Sequence, residues 1–429
     1  MAQLRGVLAN RSAVIDVLSI SSFRSLWFGQ IFSQLAMNML LFLLGLVLYQ
    51  KTGSNAAVSG IFLAYGLPAV IFGMLAGVVV DHLDRRTVLI ICDVVRAVIL
   101  APLFLVSDNV LVVYVFVFIN AVISQLYVPA EAPTIPHLVP SELLVTANSM
   151  FSFTFYTSMA LGFVLAGPLL QLVGETGGMA LIGGLFVLAA ISVSRIPRQG
   201  DGVRSFIRIS RYPMLYILQR IRTDFVAGIS YIAQAPALKD ALVLLTSTQI
   251  VLAVLAALGP GFADSILGID VAHASTLIIG PVILGIVMGA LWVGARGFRI
   301  ASRKLISVGI LSGGFFLLLI PLFGYVLRVY EVQRALPLWA LVVFAVFFFL
   351  LGVANSFLDV PANSILQRES QGSMRGRVYG VLTATVGGVG IAPVIIGGVL
   401  ADRIGVGMVI FLVGCMVFVY GAARMRYNR

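Results

Sequence analysis

Gly77-Val-Val-Val-Asp81-His82-Leu83-Asp84-Arg85-Arg86 places a short polar insert between two long apolar runs. Residues 52–80 ahead of it hold no charged side chain, and from Thr87 to Val106 the chain is again predominantly apolar. A membrane-spanning helix takes about 20 apolar residues. Two spans joined by so few polar residues enclose a tight loop, and this one carries two carboxylates, two guanidiniums and an imidazole.

The same pattern extends through the chain. Hydrophobic residues make up 60% of the 429 and charged residues 10%, whereas soluble domains carry about 25% charged residues. Twelve apolar runs recur, at roughly 23–50, 57–80, 87–106, 110–130, 143–170, 178–195, 238–262, 272–295, 304–327, 336–358, 376–400 and 405–423. The expectation is an all-α integral membrane protein of twelve transmembrane helices. Residues 1–22 lack the small-residue cleavage pattern of a signal peptide, so the first span is expected to be retained. Both cysteines, Cys92 and Cys415, fall within spans, where thiols pack as small apolar groups. No disulfide is expected.

A net charge of +11 would suit a nucleic-acid partner, but its distribution argues against one. With twelve spans and an N-terminus inside, the outer loops hold only Lys51, Arg328, Arg334 and Arg403 of the 28 basic residues. This is the positive-inside bias. It implies that both termini are cytoplasmic.

The longest polar stretch, 196–237, lies at the middle and separates six spans from six. The expected organisation is an N-terminal six-helix bundle over 1–195, a cytoplasmic linker over 196–237 and a C-terminal bundle over 238–429. Within the linker, Pro213 suits a first helical turn. Met214, Leu218, Ile221, Phe225, Ile229 and Ile232 follow at helical spacing, which suits an amphipathic helix on the inner membrane surface as well as a solvated linker. The halves echo one another. Val128-Pro129-Ala130 ends the fourth span and Val360-Pro361-Ala362 the tenth; Gly167-Pro168 lies late in the fifth and Ala392-Pro393 late in the eleventh. Parallel repeats of this kind build many transporters.

The opening stretch resembles the signature loop between the second and third helices of major facilitator superfamily transporters, Gly-x-x-x-Asp-Arg-x-Gly-Arg-Arg/Lys. Gly77, Asp81, Arg85 and Arg86 keep the pattern, while His82 and Asp84 depart from it. An acid at the end of a helix opposes the local dipole and needs another partner. The resemblance implies that Asp81 meets the start of the eleventh helix, where Arg375 and Arg377 lie, and latches the two halves on the cytoplasmic side. The competing reading is topology alone, with bases retained inside and acids solvated. The corresponding second-half loop keeps Arg296, Arg303 and Lys304 but has no acid in the place of Asp81, so the latch is expected on one side only.

The resemblance narrows with further motifs. Gly162-x-x-x-Ala166-Gly167-Pro168 resembles the glycine–proline motif of exporters in the superfamily, with the glycine spacing one residue off. Small residues and proline let helices pack closely and bend, and the resemblance puts Gly167, Pro168, Ala392 and Pro393 at the interface between halves. Phe23-Arg24-Ser-Leu-Trp27-Phe-Gly29-Gln30, the Tyr127–Pro140 stretch and Arg375-Gly376-Arg377-Val378-Tyr379-Gly380 are similar to the exporter branch that contains macrolide and enterobactin efflux proteins.

Helices 1, 4, 7 and 10 line the cavity in that fold, which implies a substrate site at Gln30, Gln34, Asn38, Asn120, Ser124, Tyr127, Gln249 and Asn355. Polar side chains in a membrane turn inward, although amides also join helices. Thr246, Glu131 and Asp359 extend these stripes, the two acids near the cytoplasmic ends where a solvated gate is as natural as substrate contact. Asp93 and Arg96 stand three apart on the third span and form an expected structural ion pair. The acid that relatives carry in helix 1 is absent, the place reading Ala36-Met37-Asn38.

The expected function is secondary active export of a bulky amphiphilic small molecule, such as a drug or siderophore, by alternating access, open to proton coupling. An uncoupled facilitator or importer, or a lysolipid flippase of the same fold, is the alternative. No H-E-x-x-H, Cys/His cluster or Gly-x-Ser-x-Gly turn suggests an enzyme. No cofactor, metal or nucleic acid is expected. The partners are the transported molecule, membrane lipid and protons, and the expected form is a monomer in a bacterial inner membrane.

Overall fold

The computed structural model describes residues 13–80, 83–101, 103, 109–198, 214–297, 300–329, 336–370 and 374–427, without the side chains of 74, 75, 77, 78, 214–222, 224, 328, 329, 375, 376 and 427. No strand occurs among them. In hydrocarbon, backbone N–H and C=O groups have no water to bond, and the helix satisfies them within one segment. The principal helices are α1 (Ser21–Thr52), α2 (Asn55–Val80), α3 (Arg85–Leu100), α4 (Val110–Glu131), α5 (Leu144–Val193), α6 (Met214–Gln234), α7 (Pro236–Phe262), α8 (Gly280–Arg296), α9 (Ser302–Val329), α10 (Leu338–Glu369), α11 (Met374–Ala384), α12 (Ile391–Ile404) and α13 (Val406–Tyr427).

Ten helical stretches among the described residues are long and apolar enough to cross a membrane. One of them, Ser141–Val193, contains two of the twelve expected spans; the chain turns between them at Gly174, whose φ is 69°. The third expected span appears as α3, only 16 residues long, because most of 101–108 lies outside the described residues. α11 and α12 belong to one crossing, joined through a π-helical turn at Thr385–Val389. Pro393 sits in the first turn of α12, where a missing N–H leaves no bond unmade.

Two helix starts are set by short polar side chains. Asp84, one of the two departures from the signature, caps α3: its Oδ2 accepts from the Thr87 N–H at 3.1 Å and from the Thr87 hydroxyl at 2.5 Å. Asn109 caps α4 by accepting from the N–H groups of Leu111 (3.0 Å) and Val112 (3.4 Å). Each cap satisfies donors that a helix start leaves free.

By contact the chain divides into two compact units. The first comprises Met1–Leu43 with Pro68–Leu218, the second Leu44–Leu67 with Gln219–Arg429. The tip of the α1–α2 hairpin is therefore counted with the second unit. The first unit packs Phe23, Leu26, Leu89, Tyr127, Phe151 and Val193 into one core, with the Phe23 and Phe151 rings edge to face at 5.6 Å. Trp27 Nε1 donates to Thr154 Oγ1 at 2.7 Å, tying α1 to α5. In the second unit Phe262 meets Phe344 and Phe348 edge to face, and the Arg424 guanidinium forks onto the Asp240 carboxylate, joining α13 to α7.

α6 is the helix expected in the linker. Phe225, Tyr231 and Ile232 pack into the core of the second unit, and Tyr231 Oη donates to the Glu369 carbonyl at 3.0 Å. Val226 and Ile229 remain exposed, as a surface in contact with lipid would be.

Candidate functional site

Polar side chains from three helices of the first unit gather around Arg96. The Arg96 guanidinium is 3% exposed and the Asp93 side chain 0%. Arg96 Nη1 lies 3.3 Å from Asp93 Oδ1 and donates to Ser33 Oγ at 3.0 Å, and Ser33 in turn donates to the same Asp93 oxygen at 2.8 Å. Arg96 Nη2 donates to Ser124 Oγ at 2.8 Å. The guanidinium stands 4.9 Å from the centre of the Tyr127 ring and 5.7 Å from that of Phe186. The expected Asp93–Arg96 pair is thus present, and it forms the centre of a network. A buried arginine needs its charge and its donors met; here a carboxylate, two hydroxyls and two ring faces meet the charge and both Nη groups, while Nε has no hydrogen-bond partner.

Several atoms around this network have no protein partner. They are both side-chain atoms of Asn120, Tyr127 Oη, Gln30 Oε1, Asp93 Oδ2, Glu131 Oε1 and Arg96 Nε itself. An orphaned buried polar atom costs about 1–3 kcal/mol, so this cluster does not add to the stability of the bundle. Glu131 differs from its expected place near solvent: it is only 7% exposed. It lies close enough to Asp93 and Arg96 to feel both charges. Its position at the end of α4 hid this: the chain continues in helical turns, so that Val110–Leu138 is one apolar stretch and Glu131 is not at its end.

The other expected cavity residues part company. Gln30 donates to the Phe151 carbonyl at 3.3 Å and so joins two helices. Gln34 and Asn38 are half-buried, and the Asn38 amide turns back onto the Gln34 carbonyl at 2.7 Å. In the second unit Gln249 is exposed, whereas Asn355 lines a cavity of about 490 Å³ between α7, α9, α10 and α13. Leu244, Leu252, Ile310, Leu317 and Leu351 supply apolar walls; Ser247, Thr248, Asn355 and Tyr420 are its polar groups, and no charged side chain lines it. Pro393 reaches its edge.

Asp81, His82 and the side chain of Arg375 lie outside the described residues. Of the remaining latch residues, Arg85 donates to the Pro133 carbonyl at 3.3 Å and Arg86 to the Ser194 carbonyl. Arg377 is half-buried near Met374 Sδ. Among the described residues no group of three His, Cys, Asp or Glu could hold a metal.

The model of the Major Facilitator Superfamily matches residues 26–394. The chain belongs to this superfamily. It is 25% identical over 418 residues to macrolide efflux protein A of Streptococcus pyogenes, covering 92% of this chain and 93% of that one. It is 25% identical over 368 residues to the multidrug efflux pump Tap of Mycolicibacterium fortuitum, covering 83% of each. The solved structure of the nucleoside transporter NupG superposes with a TM-score of 0.69 at 14% identity, covering 95% of this chain and 99% of that one. The protein is a multi-pass membrane transporter with the twelve-helix, two-bundle facilitator fold.

Removing the guanidinium while leaving Asp93 would strand a fully buried carboxylate. Arg96→Met is expected to destabilise the transporter by about 3–5 kcal/mol, and the double variant Arg96→Met/Asp93→Asn to recover most of that. Thermal unfolding of the purified variants in detergent, arranged as a double-mutant cycle, measures both.

Proposed function

We propose that the protein is a secondary active exporter of bulky amphiphilic small molecules, working by alternating access in a bacterial inner membrane as a monomer with both termini cytoplasmic. The observation that carries this reading is the apolar cavity of the second unit. Its volume of about 490 Å³ lies within the 300–1,000 Å³ range of ligand pockets. A lining rich in leucine and isoleucine with a few neutral polar groups suits a large, mostly apolar compound and offers no counter-ion for a compact charged one. The macrolide and multidrug efflux names of relatives that span most of the chain support the same substrate class. Among the expected cavity residues, Asn355 lines this cavity.

A buried charge cluster in the first unit supports coupling to a proton. Asp93, Arg96 and Glu131 together carry two negative charges and one positive. An unbalanced buried charge costs several kcal/mol, and one bound proton removes the imbalance. The other polar groups facing the cluster are the neutral Gln30, Ser33, Asn120, Ser124 and Tyr127, with the Cys92 thiol beside it on α3. Asp84, Arg85 and Arg86 are engaged at the start of α3, and His137 is exposed.

Cells expressing the transporter are expected to hold a macrolide at a several-fold lower steady level than cells without it, and the difference to vanish when the proton gradient is collapsed. Equal accumulation with and without the protein would defeat export of that class. A difference that survives collapse would point to the uncoupled alternative, and movement of a fluorescent lysolipid alone would point to the flippase.

With Glu131→Gln the cluster is balanced without a proton. Accumulation against a gradient in proteoliposomes is then expected to fall at least tenfold. Unchanged uphill transport would exclude Glu131 as the proton's carrier.

A further inference from the structure

The signature of the opening loop occurs a second time, at the end of α12. Gly398-Val-Leu-Ala-Asp402-Arg403-Ile-Gly405 matches the first eight positions of Gly-x-x-x-Asp-Arg-x-Gly, more fully than residues 77–84 do. Here every fixed position but the arginine has a visible task. At Gly398 an added Cβ would collide with Ser59 Oγ and stand 2.7 Å from the Asn55 carbonyl, so the glycine lets α12 approach the first turns of α2. Gly405 ends α12 with φ 89°, a conformation that only glycine adopts at no steric cost.

Asp402 stands between them and caps a helix that is not its own. Its Oδ1 accepts from the Asn55 N–H at 2.7 Å and from Asn55 Nδ2 at 3.0 Å. Its Oδ2 accepts from Ser54 Oγ at 2.6 Å and from the Ala56 N–H at 3.1 Å. Two of these donors are free N–H groups at the start of α2, where the helix dipole is positive and a carboxylate is favoured. Bonds to an ionised acceptor are about twice as strong as neutral ones. A second tie lies nearby: Tyr49 Oη, near the end of α1, donates to Asp264 Oδ2 at 3.2 Å.

These contacts fall where the chain must yield if the transporter changes state. α1 and α2 are continuous helices, yet their tips, Leu44–Leu67, are counted with the second unit and their remainders with the first. Relative motion of the units must either break both helices or free the tips. Breaking two helices sacrifices many backbone bonds in hydrocarbon; freeing the tips sacrifices the bonds to Asp402 and Asp264 together with the packing of their buried side chains.

We propose that Asp402 is an outer lock of the transport cycle, closed on the start of α2 in this state and released in another. By the positive-inside bias it lies on the outer side of the membrane. Gly398–Gly405 is then a second copy of the signature: in the sequence Asp81 follows the second span and Asp402 ends the eleventh. The lock rests on the alternating access of the superfamily and is independent of substrate and of coupling.

The test uses spin labels at positions 52 and 404, in protein whose two cysteines are replaced by serine, reconstituted in liposomes. Pulsed dipolar spectroscopy reads the distances. Asp402→Ala is expected to raise the ratio of long to short distances by about tenfold or more. Asp402→Asn, left with one acceptor oxygen, and Ser54→Ala, lacking one donor, are expected to give smaller shifts in the same direction. They also carry the test if the alanine variant does not fold. Distributions unchanged from the parent in the folded variants, with only a lower unfolding temperature, would make Asp402 a structural cap and overturn the lock.

Discussion

Hydrocarbon offers no hydrogen-bonding partner, and the rest of this structure follows from that. Every backbone group within the membrane must be met inside the chain, so the described residues are helical. Polar chemistry is confined to helix ends, where four donors or four acceptors are always left over, and to side chains that meet one another in the interior. Both of the transporter's notable polar assemblies obey this rule. The Arg96 network lies inside one bundle, and the Asp402 carboxylate sits on the exposed donors of a helix start.

Magnitudes separate what holds the fold from what serves transport. The apolar contacts of Phe23, Phe151, Phe262 and Phe344 stabilise each bundle and need no change during a cycle. A network in which Asn120, Tyr127 and Glu131 keep atoms without partners gives up several kcal/mol that an apolar core would retain. The two units divide the chemistry accordingly: buried charge in the first, and in the second an apolar cavity with no charge on its walls. An apolar wall raises the cost of every charge beside it.

The spans, their number and the pairing of Asp93 with Arg96 were legible from residue order, since a span is a local matter of hydropathy and an i, i+3 pair is built into helical geometry. The stripes on α1, α4, α7 and α10 were legible only as stripes. Gln30 and Gln249 share a residue type, yet one joins α1 to α5 while the other is exposed, because their fates depend on which neighbour each helix presents. Glu131, near the end of its span, read equally as a solvated gate or a substrate contact; the structure buries it. Asp84 looked like a flaw in a motif and proves to be the cap of α3.

Residue order alone therefore determined the membrane class, the twelve crossings and the superfamily, since these rest on patterns within about 20 residues. Tertiary structure decided which polar groups are buried, which bundle holds the cavity, and that the acid of Gly398–Gly405 closes on Asn55. Asp402 and Asn55 stand nearly 350 residues apart, and only the packing of α12 against the start of α2 brings a carboxylate to those free N–H groups. The loop at 77–86 announced the family; the second copy of its signature, at the far end of another helix, is where the physical work of the pattern can be seen.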